Sequence, residues 1–284
     1  MAEKNYKTYK NESFSEERAL YGARGIIVDG CTFAGPEDGE SALKETGDII
    51  VSNSLFELRY PLWHSRNGEL DNIKMTETCR AALWYDSNLH IRNSVFGGIK
   101  ALRECEGCLI EDSVVDSKEF GWQCDNIIIK NTELSSEYPF LHTKNLRLEN
   151  VKMKGKYSFQ YTENAEISDS VLDTKDAFWH SKNVTVKNSS INGEYLGWYS
   201  EGLTLINCKI TGTQPLCYCK SLTLIDCEMF GCDLAFEYSD VNARILTGVD
   251  SVKNPKSGRI LAKDYGEIII GNNVYPAEAL IEKL

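Results

Sequence analysis

Eight segments, LHIRNSVF, CLIEDSVV, IIIKNTEL, LRLENVKM, AEISDSVL, VTVKNSSI, LTLINCKI and LTLIDCEM, align on an Asn or Asp at positions 93, 112, 131, 150, 169, 188, 207 and 226. Every step is 19 residues. A fixed period of this length marks a solenoid, because one repeat cannot bury its apolar face alone and must stack on its neighbours. The register extends upstream, with small insertions, through Asn53 and Asn72, and IIVDGCTF places Gly30 in the same column. About eleven coils of 19 residues follow.

Each repeat carries a short run of alternating apolar and polar residues, such as Leu146, Arg147, Leu148 and Glu149, which is the two-residue period of a strand. A turn column of Gly, Ser or Thr follows at Gly98, Ser117, Ser136, Gly155, Thr174, Gly193, Gly212 and Gly231. No gap between repeats has room for a helix. The expected fold is therefore all-β, a single-domain right-handed parallel β-helix, the hand following from the strand-crossover preference and the lack of a hexapeptide pattern. Residues 1–24 are expected to cap the first coil, with SFSEERALYG as a short helix on the capping-box spacing of Ser13 and Glu16. Residues 25–239 would form the coils, and residues 240–284 a C-terminal cap with IIIGNNVY as the last strand.

Composition narrows the partners. The 284 residues carry a formal net charge of -11, with no Lys/Arg cluster to offset it, which disfavours a nucleic-acid backbone. No apolar run approaches the ~18 residues of a membrane span, so no membrane partner is expected. The opening MAEKNYKTYKNESFSEERALYG lacks the apolar core and cleavage site of a secretory signal, which points to a cytoplasmic chain. Ten cysteines are then expected as thiols.

Residues one period apart stack, so columns are the unit of inference. The Asn/Asp column reads as a structural ladder, since both residues tolerate left-handed corners and bond nearby backbone. The column Leu43, Leu62, Leu83, Leu102, Gly121, Phe140, Phe159, Phe178, Gly197, Leu216 reads as core. Beside it run Lys44, Trp63, Trp84, Arg103, Trp122, Leu141, Gln160, Trp179, Trp198 and Cys217, whose charged members are costly to bury without partners and are expected to face solvent. The next column, Glu45, His64, Tyr85, Glu104, Gln123, His142, Tyr161, His180, Tyr199, Tyr218, is polar where strict alternation would turn it inward. A corner or bulge is expected there in each coil. A fifth column, Asp125, Lys144, Glu163, Lys182, Glu201, Lys220, alternates in sign and reads as a solvated stabilising stripe.

His64, His142 and His180 share one column, but rungs two apart are too distant for one Zn²⁺, so no metal site is expected. Cys105 and Cys108 form a CxxC with no second copy, and Cys105 over Cys124 and Cys208 over Cys227 read as packing thiols. No cofactor is expected. The remaining signal is a strip of aromatic and hydrogen-bonding groups, comprising Lys44, Trp63, Trp84, Tyr85, Trp122, His142, Trp179, His180, Trp198 and Tyr199, of the kind that lines ligand sites. An extended small ligand, a saccharide above all, is the natural occupant. Glu45, His64, Arg103 and Glu104 would place two carboxylates, an imidazole and a guanidinium on nearby rungs, which is the makeup of an acid-base site in a polysaccharide lyase or glycoside hydrolase. A third reading is a structural or protein-interaction scaffold, with a homo-oligomer formed through the aromatic face. Against enzyme chemistry, tight coils leave little loop to carry it, the exception being AGPEDGESALKETGD at 34–48.

SFSEERALYG, GESALKE at 39–45 and YPLWHS at 60–65 together resemble a bacterial family catalogued as a domain of unknown function. The resemblance spans essentially the whole chain and implies a right-handed parallel β-helix of the pectin-lyase-like type. Pectin-lyase-like enzymes imply an acidic Ca²⁺ cluster or grouped aspartates on the outer sheet, whereas Asp86 and Asp125 stand isolated in their columns here. The resemblance thus implies a fold and no lyase activity.

Overall fold

A computed structural model describes residues 6–35, 41–272 and 274–284. These residues form an all-β parallel solenoid of about 14 turns, with no helix among them. The chain divides into two compact units, Met1–Phe140 and Leu141–Leu284.

In the N-terminal unit, the strands Arg24–Asp29, Gly47–Ser52, Arg66–Asp71 and Ser87–Arg92 pair in parallel, rung on rung. Alternation sends Ile26 and Val28, Ile49 and Val51, and Leu89 and Ile91 into the core, all buried. Gly68 interrupts this column because a Cβ there would meet the Leu89 side chain at 2.8 Å. On the second face, short strands bury Phe14, Phe33 and Phe56, whose rings stack at 4.9 and 4.8 Å. A third face is a four-stranded parallel sheet of Leu62–Trp63, Leu83–Trp84, Leu102–Arg103 and Phe120–Trp122.

Corners are made by left-handed residues. Asn53, Asn72, Asn93, Asp112 and Asn131 have φ between 48 and 52°. Their side chains link rungs as expected, Asn72 donating to Asn53 at 2.8 Å and Asn131 to Asp112 at 3.0 Å. The following column, Ser94 and Ser113 among others, is buried, and each hydroxyl accepts a backbone N–H from the rung below, as Ser113 does from Ser94 at 3.1 Å. A second Asn corner, at Asn67, Asn88 and Asn126, has φ of 54 to 55°.

The C-terminal unit repeats this plan. Lys144–Glu149, Glu163–Ser168 and Lys182–Lys187 pair in parallel, with Leu146 and Leu148, Ala165 and Ile167, and Val184 and Val186 buried. Lys144 and Glu163 of the alternating-charge stripe sit 3.8 Å apart. Asp240–Lys253 and Ser257–Ile269 continue the coils as longer paired strands with a register shift between Ile245 and Gly248.

Three expectations need correction. SFSEERALYG is not a helix: Ser13–Phe14 is a strand, and turns follow with Arg18 and Leu20 at φ 59 and 58°. Leu20 is the first member of the core-column corner, since the Leu43 N–H donates to the Ala19 carbonyl one rung below at 2.9 Å. The coils number about 14 rather than eleven, because Lys7–Lys10 already pairs with the next rung and the strands after residue 240 stay in the stack. The last strand is Leu280–Lys283, not IIIGNNVY, whose first residues end the strand Ser257–Ile269. Within AGPEDGESALKETGD and GESALKE, residues 36–40 lie outside the described residues.

Candidate functional site

The strip is shaped by one backbone device. His64, Tyr85, Glu104 and Gln123 in the N-terminal unit all have φ between 52 and 59°. In the C-terminal unit His142, Tyr161, His180, Tyr199 and Tyr218 lie between 54 and 60°. A left-handed residue reverses the alternation, so the Trp column and the His/Tyr column point outward together while the residue after them, Ser65 or Ser181, turns inward and is buried. The corner expected from the polar column is therefore present. The column to its other side is core: Leu43, Leu62, Leu83, Leu102 and Phe140 in one unit and Phe159, Phe178 and Leu216 in the other are buried.

In the N-terminal unit the Trp column is half-buried rather than fully solvated. The Lys44 ammonium lies over the Trp63 ring at 4.1 Å, Trp63 stacks on Trp84 at 5.5 Å, and the Arg103 guanidinium lies 5.3 Å from the Trp122 ring centre. Tyr60 packs obliquely on both Trp63 and Trp84 at 5.8 and 6.0 Å. Outside this row His64 stacks on Tyr85 at 4.8 Å with a 5° interplanar angle. The rungs flanking that pair hold carboxylates. Tyr21 donates its phenol to Glu45 at 3.0 Å, which raises the Tyr21 pKa, and a hydrogen bond to Glu104 raises that of Tyr85.

Of the four residues read as an acid-base group, Arg103 and Glu104 are brought together at 3.3 Å. Arg103 also faces Glu119 at 3.6 Å, and Lys100 approaches the same carboxylate at 3.7 Å. Glu45 and His64 occupy adjacent rungs, the Glu45 N–H donating to the Trp63 carbonyl at 2.8 Å, but the Glu45 side chain turns to Tyr21.

In the C-terminal unit the outer column is an uninterrupted ring stack. His142 on Tyr161, Tyr161 on His180, His180 on Tyr199 and Tyr199 on Tyr218 are spaced 4.7, 5.0, 5.1 and 4.8 Å. The Tyr161 ring thus fills the space between His142 and His180. Trp179 stacks on Trp198 at 5.6 Å, and each indole N–H donates to a carbonyl, Tyr195 at 2.7 Å and Gln214 at 2.8 Å. Trp122 does the same toward Tyr138. The indole N–H groups of Trp63 and Trp84 are buried with no hydrogen-bond partner, whereas Nη1 of Arg103 and Oε2 of Glu119, buried as well, face each other as an ion pair at 3.6 Å. Ring faces in both units are covered by the rungs above and below. The strip presents ring edges and polar tips, not faces.

Below the strip runs a buried ladder of small polar residues, including Thr46, Ser65, Cys105 and Cys124, in which Asp86 is the carboxyl member. Asp86 Oδ1 accepts the Ser65 N–H at 2.7 Å and Oδ2 has no hydrogen-bond partner. Burial holds its pKa well above the ordinary carboxylate value. The cysteines occupy the same kinds of position. All ten are buried free thiols, and Cys31 and Cys208 donate to carbonyls two residues back as the serines of their column do. Burial pushes Cys219 up to about 11 and Cys79 and Cys232 up to about 12, so these thiols stay protonated at neutral pH.

Sequence reading passed over two contributors to this surface and one charged group on another face of the unit. Tyr60 sits in a turn rather than a column. Glu119 belongs to a turn of the next coil. His90, the fourth histidine, lies on the outer face between Glu111 at 2.8 Å and Glu69 at 3.6 Å; its outward place in LHIRNSVF was visible.

Coils of this geometry, stacked in parallel with left-handed corners and a continuous apolar interior, define a parallel β-helix protein. The chain belongs to the family described as Protein of unknown function (DUF3737), whose model matches residues 7–282. No curated protein sequence matches it. Solved structures that resemble it include the A-module of the mannuronan C-5 epimerase AlgE6 of Azotobacter vinelandii, at 11% identity and a TM-score of 0.42, covering 98% of this chain and 88% of that one. PfbA, a surface adhesin of Streptococcus pneumoniae, gives 9% identity and a TM-score of 0.42, covering 97% and 81%. A tailspike protein mutant of E. coli bacteriophage HK620 in complex with pentasaccharide gives 8% and 0.45, covering 97% and 70%. Likenesses at this level carry no argument on ligand or activity.

Proposed function

We propose that the chain is a binding protein for an extended, hydroxyl-rich ligand, a saccharide, held along the outer strip of the N-terminal unit. The observation that carries this reading is the pair of stacked indoles, Trp63 and Trp84, whose N–H groups are buried without acceptors. Buried polar groups are nearly always paired, and orphans grouped in one strip call for a partner. A ligand hydroxyl accepts from an indole N–H and can donate onward, so a hydroxyl-rich ligand answers both indoles. Lys44, Tyr85, His64 and Glu104 supply polar tips along the same rungs. The ten buried free thiols support a reducing compartment, which fits a cytoplasmic chain.

The test is isothermal titration against a polysaccharide panel with Trp84→Phe, which keeps a ring and removes the N–H, and Trp179→Phe as control. At least tenfold weaker binding for Trp84→Phe alone is expected. A flat panel, or equal loss in the control, rejects the reading. A second reading has its own observation: Tyr161 and Tyr199 of the C-terminal stack are 44% and 47% exposed, and rows of tyrosine suit protein interfaces. Light scattering over a concentration series tests the homo-oligomeric form of that reading, and a constant monomer mass removes it.

A further inference from the structure

A hollow of about 370 Å³ opens on the outer face of the C-terminal unit around Gly248, walled by Phe230, Thr247, Asp250, Asp264 and Gly266. Cys227 pairs with Ile245, and the Met229 N–H donates to the Thr247 hydroxyl at 2.9 Å, so the next residue up the column of Phe230 is Gly248. Gly248 in turn pairs with Asp264. Val249 is buried, which turns Gly248 and Asp250 outward on either side of it. Gly248 is thus a floor with a ring one rung down, a carboxylate one rung up and a second carboxylate further along its own strand. Rungs two apart stand ~9.6 Å from each other, which is room for one layer of ligand between Phe230 and Asp264.

Nothing in the backbone asks for glycine at this floor. Gly248 is not left-handed, and a Cβ on it would meet only Asp264 atoms, the nearest at 3.6 and 3.8 Å, which is ordinary contact. Gly266 differs, since its Cβ would meet the Asp250 carbonyl oxygen at 2.4 Å. The missing side chain at 248 therefore serves no closer packing. Its effect is to leave Phe230, 42% exposed, without a side chain above it in the column. One face of that ring is taken by the Lys209 ammonium at 5.0 Å, and Lys209 lines a separate hollow, not this one. The other face is turned to the gap over Gly248.

The polar groups around the gap select the ligand. The Thr247 hydroxyl is occupied by Met229, whose carbonyl it reaches at 3.0 Å. Asp264 is held by the Lys283 ammonium at 2.6 Å and by the Tyr265 N–H at 2.9 Å. The Asp250 carboxylate is exposed and, among the described residues, makes no ion pair and no hydrogen bond. No basic side chain lines the hollow. An anion would thus meet two carboxylates and no cation except the one already bound to Asp264. A neutral alcohol would gain a single hydrogen bond, to Asp250. A protonated amine gains twice, from a charge-assisted hydrogen bond to Asp250 and from the open face of an aromatic ring. The formal net charge of -11 favours its approach. The volume lies within the ~300–1,000 Å³ of small-molecule sites. We infer that this hollow binds a small organic ammonium ion, its charge held between Asp250 and the Phe230 ring and its carbon chain laid over Gly248. The site lies in the other unit from the strip and does not rest on the saccharide reading.

Ligand-observed saturation-transfer NMR on the full chain tests this, with butylammonium as the probe and butanol and butyrate, of the same chain length, as neutral and anionic comparators. Saturable binding of butylammonium alone is expected. It should weaken about tenfold in Asp250→Asn and about threefold in Phe230→Leu. Gly248→Val, which fills the gap, should abolish it, and Trp84→Phe should leave it unchanged. Circular dichroism confirms the fold of each variant, and Asp250→Asn, at an exposed side chain with no bond to lose, decides the case if Gly248→Val does not fold. No saturable binding of butylammonium, equal binding of butanol or butyrate, or parental affinity in Asp250→Asn or in folded Gly248→Val overturns the inference.

Discussion

The two units place the same columns on the same corner, yet one changes chemistry at each rung and the other repeats it. From Glu45 to Gln123 the outer column runs acid, imidazole, phenol, acid, amide, while from His142 to Tyr218 every member is a ring stacked on the next. The indoles differ likewise: Trp179 and Trp198 reach carbonyls and Trp63 and Trp84 do not. Stacking therefore fixes where a side chain stands and leaves open whether its polar atoms are answered. A ladder that satisfies itself is a structural device; one that leaves donors open has capacity for a ligand.

The contrast should disappear one layer down, where both strips rest on the same core column. Phe178→Ala should cost about 3–5 kcal/mol and Leu83→Ala about 2–5 kcal/mol by urea unfolding. A Leu83→Ala loss below 1 kcal/mol would show that the two cores differ as much as their rims.

Asp86 sharpens the comparison next, since its counterparts in the C-terminal ladder, Ser181 and Ser200, are hydroxyls. Asp86→Ser should stabilise the protein at pH 7 by about 1–3 kcal/mol by removing a buried carboxyl with an unanswered oxygen. Its folded-state pKa is raised above the ~3.9 of an unfolded Asp. The stability that goes with the neutral acid is thus fully present below about pH 4 and is lost as pH rises through the folded-state value. Unfolding midpoints across pH should fall over that window for the parent and stay flatter for Asp86→Ser.

A smaller difference separates the indoles. Trp179→Phe removes a hydrogen bond to Tyr195 and should cost about 1 kcal/mol more than Trp63→Phe, which removes a donor with no acceptor. Equal losses would mean that Trp63 finds a partner in solution. Smallest of all, Glu104→Gln should lower the Tyr85 phenol pKa, because the hydrogen bond to the carboxylate raises it. Ultraviolet titration reads the phenolate directly, and an unmoved curve would uncouple Tyr85 from Glu104.

Much of the fold is legible in the spacing of a few residue types. The core column, the Asn ladder and the outward corner all follow from the period, and the second Asn corner at Asn67, Asn88 and Asn126 was as regular as the first. The first coil is harder to see. Lys7 and Tyr9 stand where Ile26 and Val28 stand one rung on, so the inward positions of this strand carry no aliphatic signal. SFSEERALYG misleads because Ser13 and Glu16 have capping-box spacing, although Ala19 and Leu20 match Ala42 and Leu43. The strip's state was not legible. Whether an indole N–H meets a carbonyl depends on the path of the turn in the next coil, and length does not reveal it: the turn after Trp63 carries two extra residues, that after Trp84 has the ordinary length, and neither supplies an acceptor.

Gly197, at φ 76°, has the Leu216 side chain 2.8 Å from where its Cβ would be. The two rungs are thus cut to fit each other, whereas Phe159 and Phe178 are alike and stack at 4.8 Å. Coils of equal length are consequently not equivalent building blocks. Excising one whole period between Phe159 and Phe178 joins like to like, but exchanging the rungs of Gly197 and Phe178 would set two large side chains against one space and leave a hole beside another. The period says how the chain is wound; pairs such as this decide the order in which its turns must come.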